Sequence, residues 1–211
     1  MLRVAIVDDH EIVRAGFREM LAGELGIAIA FEAGSGEEAL DSLRDNACDV
    51  LLLDLALPGQ SGVDVLRTVR QRYADMHVLV LTGYPEERYA MAMIRNGADG
   101  YLCKECGRDE LLKAVRTVAN GRRYVSPHMA ELLAEEATGD RTAAPHQQLS
   151  GRELQVFLRL AGGESVSEIG RALNISIKTV STYRARLLEK LGVASNAELA
   201  TYAVRHGLMA D

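Results

Sequence analysis

The chain of 211 residues carries only three cysteines, Cys48, Cys103 and Cys106. That odd count has no disulfide framework behind it. Cys103 and Cys106 form a C-x-x-C around Lys104, but the sequence offers no second ligand pair at the spacing of a structural zinc site, so the pair reads as reduced thiols in a loop. No apolar run approaches the ~18 residues that a membrane helix needs, and the opening MLRVAIVDD turns acidic too soon for a signal peptide. The expected compartment is therefore the cytoplasm, with no membrane partner. Internal repeats, low-complexity tracts and a basic arm are also missing. Residues 1–121 hold 13 Lys/Arg against 20 Asp/Glu, a net of −7, while residues 122–148 carry −1. Residues 149–211 hold 8 against 6, a net of +2. Any role with nucleic acid must come from where the cations sit, because bulk charge does not supply it.

What is present is a pattern of four apolar runs that each end in a polar residue. VAIV runs into Asp8 and Asp9, VLLL into Asp54, VLVL into Thr82 and GYLC into Lys104. Runs of this length between helix-like segments read as parallel strands buried on both faces. Strands are expected at 2–7, 27–32, 49–54, 77–81 and 99–102, and helices at 11–22, 36–45, 62–72, 86–95 and 108–119. Such alternation predicts an α/β doubly wound, five-stranded parallel sheet. Ser35 and Glu38 stand at the positions of a capping box for the second helix.

A sheet of this kind holds its ligands beyond the carboxyl ends of the strands. Three carboxylates, a hydroxyl and an ammonium would then meet at one edge. An aspartate accepts a phosphoryl group when its carboxylate attacks in line and cations neutralise the crowded oxygens. Mg²⁺ suits that work because it prefers oxygen ligands and bridges carboxylate to phosphate. Lys104 would pair with phosphoryl oxygens as a point charge, and Thr82 would donate to an oxygen of phosphorylated Asp54.

Residues 1–120 resemble the receiver domain of two-component response regulators, the flavodoxin-like fold. The resemblance rests on the Asp8-Asp9 pair, Asp54 within DLALPGQSG, Thr82, Tyr101 and Lys104. It implies that Asp54 is the phosphoacceptor and that Asp9, Asp54 and the backbone carbonyl of Ala56 hold Mg²⁺, with Asp8 acting through a bound water. Thr82 and Tyr101 would form the switch pair, Thr82 drawn to the phosphate and Tyr101 turning inward. Leu57 replaces the usual Met before Pro58, and Lys104 lacks the proline that follows it in many receivers. Gly83 leaves room for the incoming donor, and Tyr84 is a candidate shield of the acyl phosphate.

Ser126-Pro127 opens a further helix to about residue 137, and TGDRTAAPHQQ (138–148) reads as the interdomain linker. The expected organisation is a receiver at 1–121, helix and linker at 122–148, and an all-α four-helix domain at 149–211. Capping boxes are expected at Ser150–Glu153, Ser165–Glu168 and Ser195–Glu198. Leu149 and Leu154 take the hydrophobic-staple positions around the first of these. A helix after Ser176 ends at Gly192, a left-handed C-terminal cap. The four-residue LNIS between the second and third helices suits a helix-turn-helix.

Placed at about 100° per residue, residues 178–191 sort into two faces. Val180, Leu187 and Leu191 lie together, with Tyr183 and Arg184 at the margins. Lys178, Thr182, Ala185 and Glu189 lie opposite, flanked by Ser181 and Arg186. Short polar groups toward base edges and cations toward phosphates are what a major-groove helix needs. From LSGRELQVF through KLGV the segment resembles the LuxR-type helix-turn-helix, joined to a receiver as in the NarL/FixJ class. Glu153, Glu168-Ile169, Asn174-Ile175-Ser176, Thr179-Val180 and Lys190-Leu191-Gly192 carry that resemblance. It puts Ser181, Thr182 and Ala185 at base-reading positions and Lys178, Thr179, Tyr183, Arg184 and Arg186 beside phosphates. Ser181 stands where many relatives carry Lys, and Val166-Ser167 replaces a commoner Asn-Lys.

The function expected on this resemblance is a DNA-binding response regulator, not an enzyme. A sensor histidine kinase would be its phosphodonor, and double-stranded DNA and a second copy of the chain its partners, with RNA polymerase a further candidate. A phosphatase with an aspartyl-phosphate intermediate would carry a second Asp two residues after the nucleophile, where this chain has Ala56. The alternative is a phosphorelay or protein-binding receiver whose tail leaves DNA alone.

Overall fold

Leucyl and β-branched runs build five strands: β1 (Leu2–Val7), β2 (Ile27–Ala33), β3 (Val50–Asp54), β4 (His77–Thr82) and β5 (Gly100–Cys103). The computed structural model describes residues 1–83, 93, 94, 96–126, 130, 145–173, 175–206 and 208. All pairings are parallel, in the order β2-β1-β3-β4-β5. Side chains alternate between faces along a strand. Val4, Ile6, Val50, Leu52, Leu79 and Leu81 meet Phe17, Leu111 and Val115 in one core. Their neighbours Ala5, Val7, Leu51, Leu53, Val78 and Val80 are equally sealed on the other face, at 0% exposure. Burial on both faces is why the central strands read as unbroken apolar runs rather than alternating ones.

Among the described residues α1 (Glu11–Leu21), α2 (Gly36–Asp45) and α3 (Gly62–Arg72) connect successive strands, and α4 (Arg108–Ala119) follows β5. Ser61 starts α3 by accepting the Asp64 amide, which satisfies a donor of the first turn. The α3 start sits so close beneath β3 that a Cβ on Gly62 would stand 2.0 Å from the Asp54 carbonyl oxygen. Only glycine fits there. The helix expected at 86–95 falls mainly outside the described residues, as do Tyr84, Asn174, the helix expected from Pro127 and most of the linker.

The chain divides into two compact units, Met1–Ala134 and Glu135–Asp211. The second contains α5 (Gly151–Ala161), α6 (Val166–Ala172), α7 (Ile177–Leu191) and α8 (Asn196–Arg205). Phe157, Val156, Ile169, Val180, Leu187, Leu199 and Ala203 form its core, all at 0% exposure. Leu149 and Leu154 are buried around the α5 cap. Pro145–Gln148, read from sequence as the end of the linker, is a 3-10 turn. His146 within it lies 3.1 Å from the Tyr202 hydroxyl of α8.

Two of the expected capping boxes form as such and two do not. Ser150 and Ser165 accept the third amide of their helices, and Glu153 and Glu168 return to the cap residue's own N–H. Ser35 and Ser195 also accept, from Glu38 and Glu198. There the carboxylates bond one residue earlier, Glu38 to the Gly34 amide and Glu198 to the Ala194 amide. The cause is the backbone: φ is −63° and −72° at Ser150 and Ser165 but −148° and −146° at Ser35 and Ser195. The rotated peptide turns the cap N–H away from the helix.

Candidate functional site

The register of the sheet aligns the polar ends of the apolar runs. Val7 pairs with Leu53 and Asp54 with Leu81, so Asp8 leaves β1 level with Asp54 at the end of β3. Between β1 and β3 the strand order reverses direction, which opens a crevice at the carboxyl edge. Thr82 pairs with Cys103, and its carbonyl accepts the Lys104 amide, which returns the following side chain toward that edge. Asp8, Asp54 and Thr82 are buried, at 0%, 1% and 0% exposure.

Lys104 Nζ lies 2.6 Å from Asp8 Oδ2 and 2.9 Å from Asp54 Oδ2. These are ion-pair distances, so one ammonium serves both buried carboxylates. Burial pushes the Asp54 carboxyl above its ordinary range and the charge on Asp8 adds to this, against the pull of Lys104 and the Ala56 amide. Burial works against the Lys104 ammonium as well, but the two aspartates outweigh it and hold Lys104 above its usual value. A buried pair of carboxylates sharing one cation is under-compensated, which is the electrostatic condition for drawing in a second cation.

The carboxylates of Asp8, Asp9 and Asp54 and the imidazole of His10 each offer one donor atom, all within 4.8 Å of one another. His10 Nδ1 stands 2.7 Å from Asp9 Oδ1 and 3.2 Å from Asp8 Oδ1. Three carboxylates converging beside a single shared ammonium form an oxygen-rich donor set that fits Mg²⁺. Tyr101 is buried, at 3% exposure. Cys103 is exposed, whereas burial pushes the Cys106 thiol up to about 11, with Glu110 adding to the shift. Sequence reasoning missed His10 and also Arg14, which donates to the Asp8 carbonyl at 2.6 Å. The signal for His10 was its place directly after Asp8-Asp9.

In the second unit α6 and α7 form the helix-turn-helix. Gly170 lets the turn close: a Cβ there would stand 2.9 Å from the Ile175 carbonyl oxygen. Arg152 of α5, 5% exposed, donates to the Leu173 carbonyl in that turn and to Gln155. Glu153, equally buried, receives Lys190 of α7 at 2.7 and 2.9 Å. Burial pushes the Glu153 carboxyl up, but Lys190 and the Ser150 amide and hydroxyl outweigh it and hold the group below the usual carboxylate range.

Lys178, Thr179, Ser181, Thr182, Ala185 and Arg186 lie exposed on α7, and Tyr183 and Arg184 are half-buried. Lys178, Thr179, Thr182, Tyr183 and Arg186 line a groove of about 270 Å³. Ser181 and Thr182 donate their hydroxyls back to the Ile177 and Lys178 carbonyls. Arg184 donates its Nε to Asn196 Oδ1 at 2.7 Å, tying α7 to α8.

Comparison with known proteins agrees with this geometry. Residues 4–116 match the response regulator receiver domain, and residues 147–203 match the bacterial regulatory proteins of the luxR family. Response regulator UvrY of Escherichia coli K12 is 39% identical over 209 residues, covering 99% of this chain and 96% of that protein. Response regulator GacA of Pseudomonas viridiflava is also 39% identical, over 99% and 98% of the two chains. A solved structure of RcsB from Salmonella enterica serovar Typhimurium, bound to promoter rprA in the presence of the phosphomimetic BeF₃⁻, aligns with a TM-score of 0.65 at 27% identity. It covers 96% of this chain and 98% of its own. Among the described residues no helix is long and apolar enough to cross a membrane. With a receiver sheet in front and a LuxR-type helix-turn-helix behind, the chain belongs to the NarL/FixJ class of response regulators, the DNA-binding transcription regulators of two-component systems.

Proposed function

We propose that Asp54 is the phosphoacceptor of this regulator and that α7 reads the DNA. The observation that carries the first half is Lys104 bridging Asp8 and Asp54 at the strand ends. One carboxylate oxygen of Asp54 attacks phosphorus as the bond from phosphorus to the donor nitrogen breaks. The electron pair stays on that nitrogen, an imidazole of the sensor kinase, which takes up a proton. Lys104 then has phosphoryl oxygens to pair with in place of a carboxylate. Thr82, buried at the neighbouring strand end, donates to the new anion, and Tyr101 packs inward behind it.

Asp9, Asp54 and the Ala56 carbonyl would hold Mg²⁺, with Asp8 acting through water. Once bound, the ion neutralises charge on the transferring group. The switch pair biases the receiver between two states, and the second state favours a dimer on DNA. In α7, Ser181, Thr182 and Ala185 face base edges, while Lys178, Thr179, Tyr183, Arg184 and Arg186 lie beside phosphates. The exposure of Lys178, Thr179, Ser181, Thr182, Ala185 and Arg186 supports that assignment.

The test is incubation with acetyl phosphate and Mg²⁺. An acid-labile, hydroxylamine-sensitive adduct is expected on the wild type and should vanish in Asp54→Ala. An adduct that persists in the variant would remove Asp54 from the role. Selection of DNA from a genomic pool, with and without beryllofluoride, tests the second half. Recovery of no preferred sequence in either condition would count against it.

A further inference from the structure

We infer that Ile177 is a specificity-determining residue of α7, and that it reads the 5-methyl group of a thymine in the major groove. The inference rests on the reading of α7 as the DNA helix and adds one apolar contact to those assigned above. Ile177 is the first residue of α7 and is 53% exposed. Val180 and Leu187 of the same helix are fully buried, and Leu191 nearly so. Among the described residues of the second unit, Ile177 and Val204 are the exposed large hydrophobics, and of these two Ile177 stands on α7.

Its place on the helix gives the direction. At about 100° per residue, Ser181 lies about 40° and Ala185 about 80° round the axis from Ile177, while Val180, Leu187 and Leu191 lie about 40° to 80° round the other way. Ile177 therefore opens the row that continues through Ser181 and Ala185, at the edge of the buried face. The side chain is also held. Ser176 caps the helix by accepting the Thr179 amide at 3.0 Å, and a Cβ added at Gly170 of α6 would stand 3.8 Å from Ile177 Cγ1. One edge of the isoleucine thus rests against α6, and β-branching restricts its χ1 in a helix. A rigid apolar group loses little side-chain freedom when it binds.

Base chemistry then selects the ligand. The N-terminal residues of the reading helix in a helix-turn-helix meet base edges, and the thymine methyl is the apolar group that those edges present in the major groove. Against a polar edge, isoleucine would cover donors and acceptors without replacing their hydrogen bonds to water. One turn along, Ser181 donates its hydroxyl proton to the Ile177 carbonyl at 2.9 Å. It turns acceptor lone pairs outward, which suit the amino group of adenine or cytosine.

The experiment uses the full chain and the duplex recovered from the genomic pool, with each thymine replaced in turn by deoxyuridine, which lacks only the methyl. Loss of one buried methyl predicts about fourfold weaker binding of the wild type at one thymine in each half-site. Ile177→Ala should bind the thymine duplex more weakly and lose nothing further at that uracil. Ile177→Val, which keeps the branch, should retain part of the discrimination. The salt slope should be the same in all three proteins, because no phosphate contact changes. Uracil substitutions that cost wild type and Ile177→Ala equally at every position, or cost the wild type nothing, overturn the inference and leave α7 as the DNA helix. A reduced slope in Ile177→Ala also overturns it, marking the residue as a support of the helix rather than a reader. Recovery of no preferred duplex overturns the inference and the reading of α7 together.

Discussion

Without the Lys104 ammonium, Asp8 and Asp54, at 0% and 1% exposure, would face each other with no counter-charge from that side. Breaking a buried ion pair from one end is costly because the remaining charge stays desolvated. Lys104→Met is therefore expected to destabilise the metal-free protein by about 3 kcal/mol, with part of the loss recovered in excess Mg²⁺. Urea unfolding with and without the ion measures this, and equal stability of variant and wild type would refute it. Gly62→Ala acts on the same pocket through backbone. Its Cβ would meet the Asp54 carbonyl at 2.0 Å, so β3 or α3 must move, at a cost above about 2 kcal/mol. The same urea experiment reads that cost, and a loss below roughly 0.5 kcal/mol, the scale of a neutral surface change, would contradict it. The sequence revealed Asp8, Asp54, Thr82 and Lys104 because each terminates an apolar run, and strand ends in a parallel sheet converge. His10, Arg14 and Arg152 were not legible in this way. Their roles depend on the direction in which a side chain turns at a helix end, and no periodicity encodes that.

At the scale of elements, the positions of the strands and of the described helices followed from pattern, because burial on both faces leaves an apolar signature that polar helices interrupt. The caps mark the limit of that reading. Four Ser-x-x-Glu segments look alike, yet only Ser150 and Ser165 have the φ that closes the reciprocal bond; local backbone, fixed by what precedes the helix, decides. Arg70 likewise ties α3 to the entry of β4 through the Met76 carbonyl and to the entry of β5 through the Gly97 carbonyl and Asp99, a link that joins distant elements and has no local pattern. The Ser150 cap does further work, since its Glu153 also fixes Lys190 and so joins α5 to α7. The folded Glu153 carboxyl titrates below its usual range. It therefore contributes stability that is fully present above about pH 5 and lost as the pH falls through its folded value. Hydrogen-exchange protection of α5 and α7 amides should decline over that acid range in the wild type and decline less steeply in Glu153→Gln. Matching pH profiles would show that Lys190 and Ser150 do not govern the link.

For the molecule as a whole, the charge distribution sets how it meets DNA. The front 121 residues carry −7 and the last 63 only +2, so long-range attraction is weak and the contacts must be local. Those last 63 residues hold 8 Lys/Arg, and several are already committed: Arg152 to Leu173 and Gln155, Arg159 to Glu164, Lys190 to Glu153 and Arg184 to Asn196. On α7 this leaves Lys178 and Arg186 as exposed cations with no partner among the described residues. Each phosphate neutralised contributes about 0.9 to the slope of log affinity against log salt. Two such contacts per chain predict a slope of roughly −4 for a dimer, shallow for a specific DNA-binding protein. Arg186→Ala should weaken binding to all sequences alike and reduce the slope by roughly one unit per bound chain. Thr182→Ala should leave the slope unchanged and alter preference at a single base position, since Thr182 presents a methyl and acceptor lone pairs while its hydroxyl proton is held by Lys178. Binding isotherms at several salt concentrations, on a selected site and on random DNA, separate the two effects. A slope unmoved by Arg186→Ala would take that guanidinium out of the phosphate contacts and shift the affinity onto dimer formation.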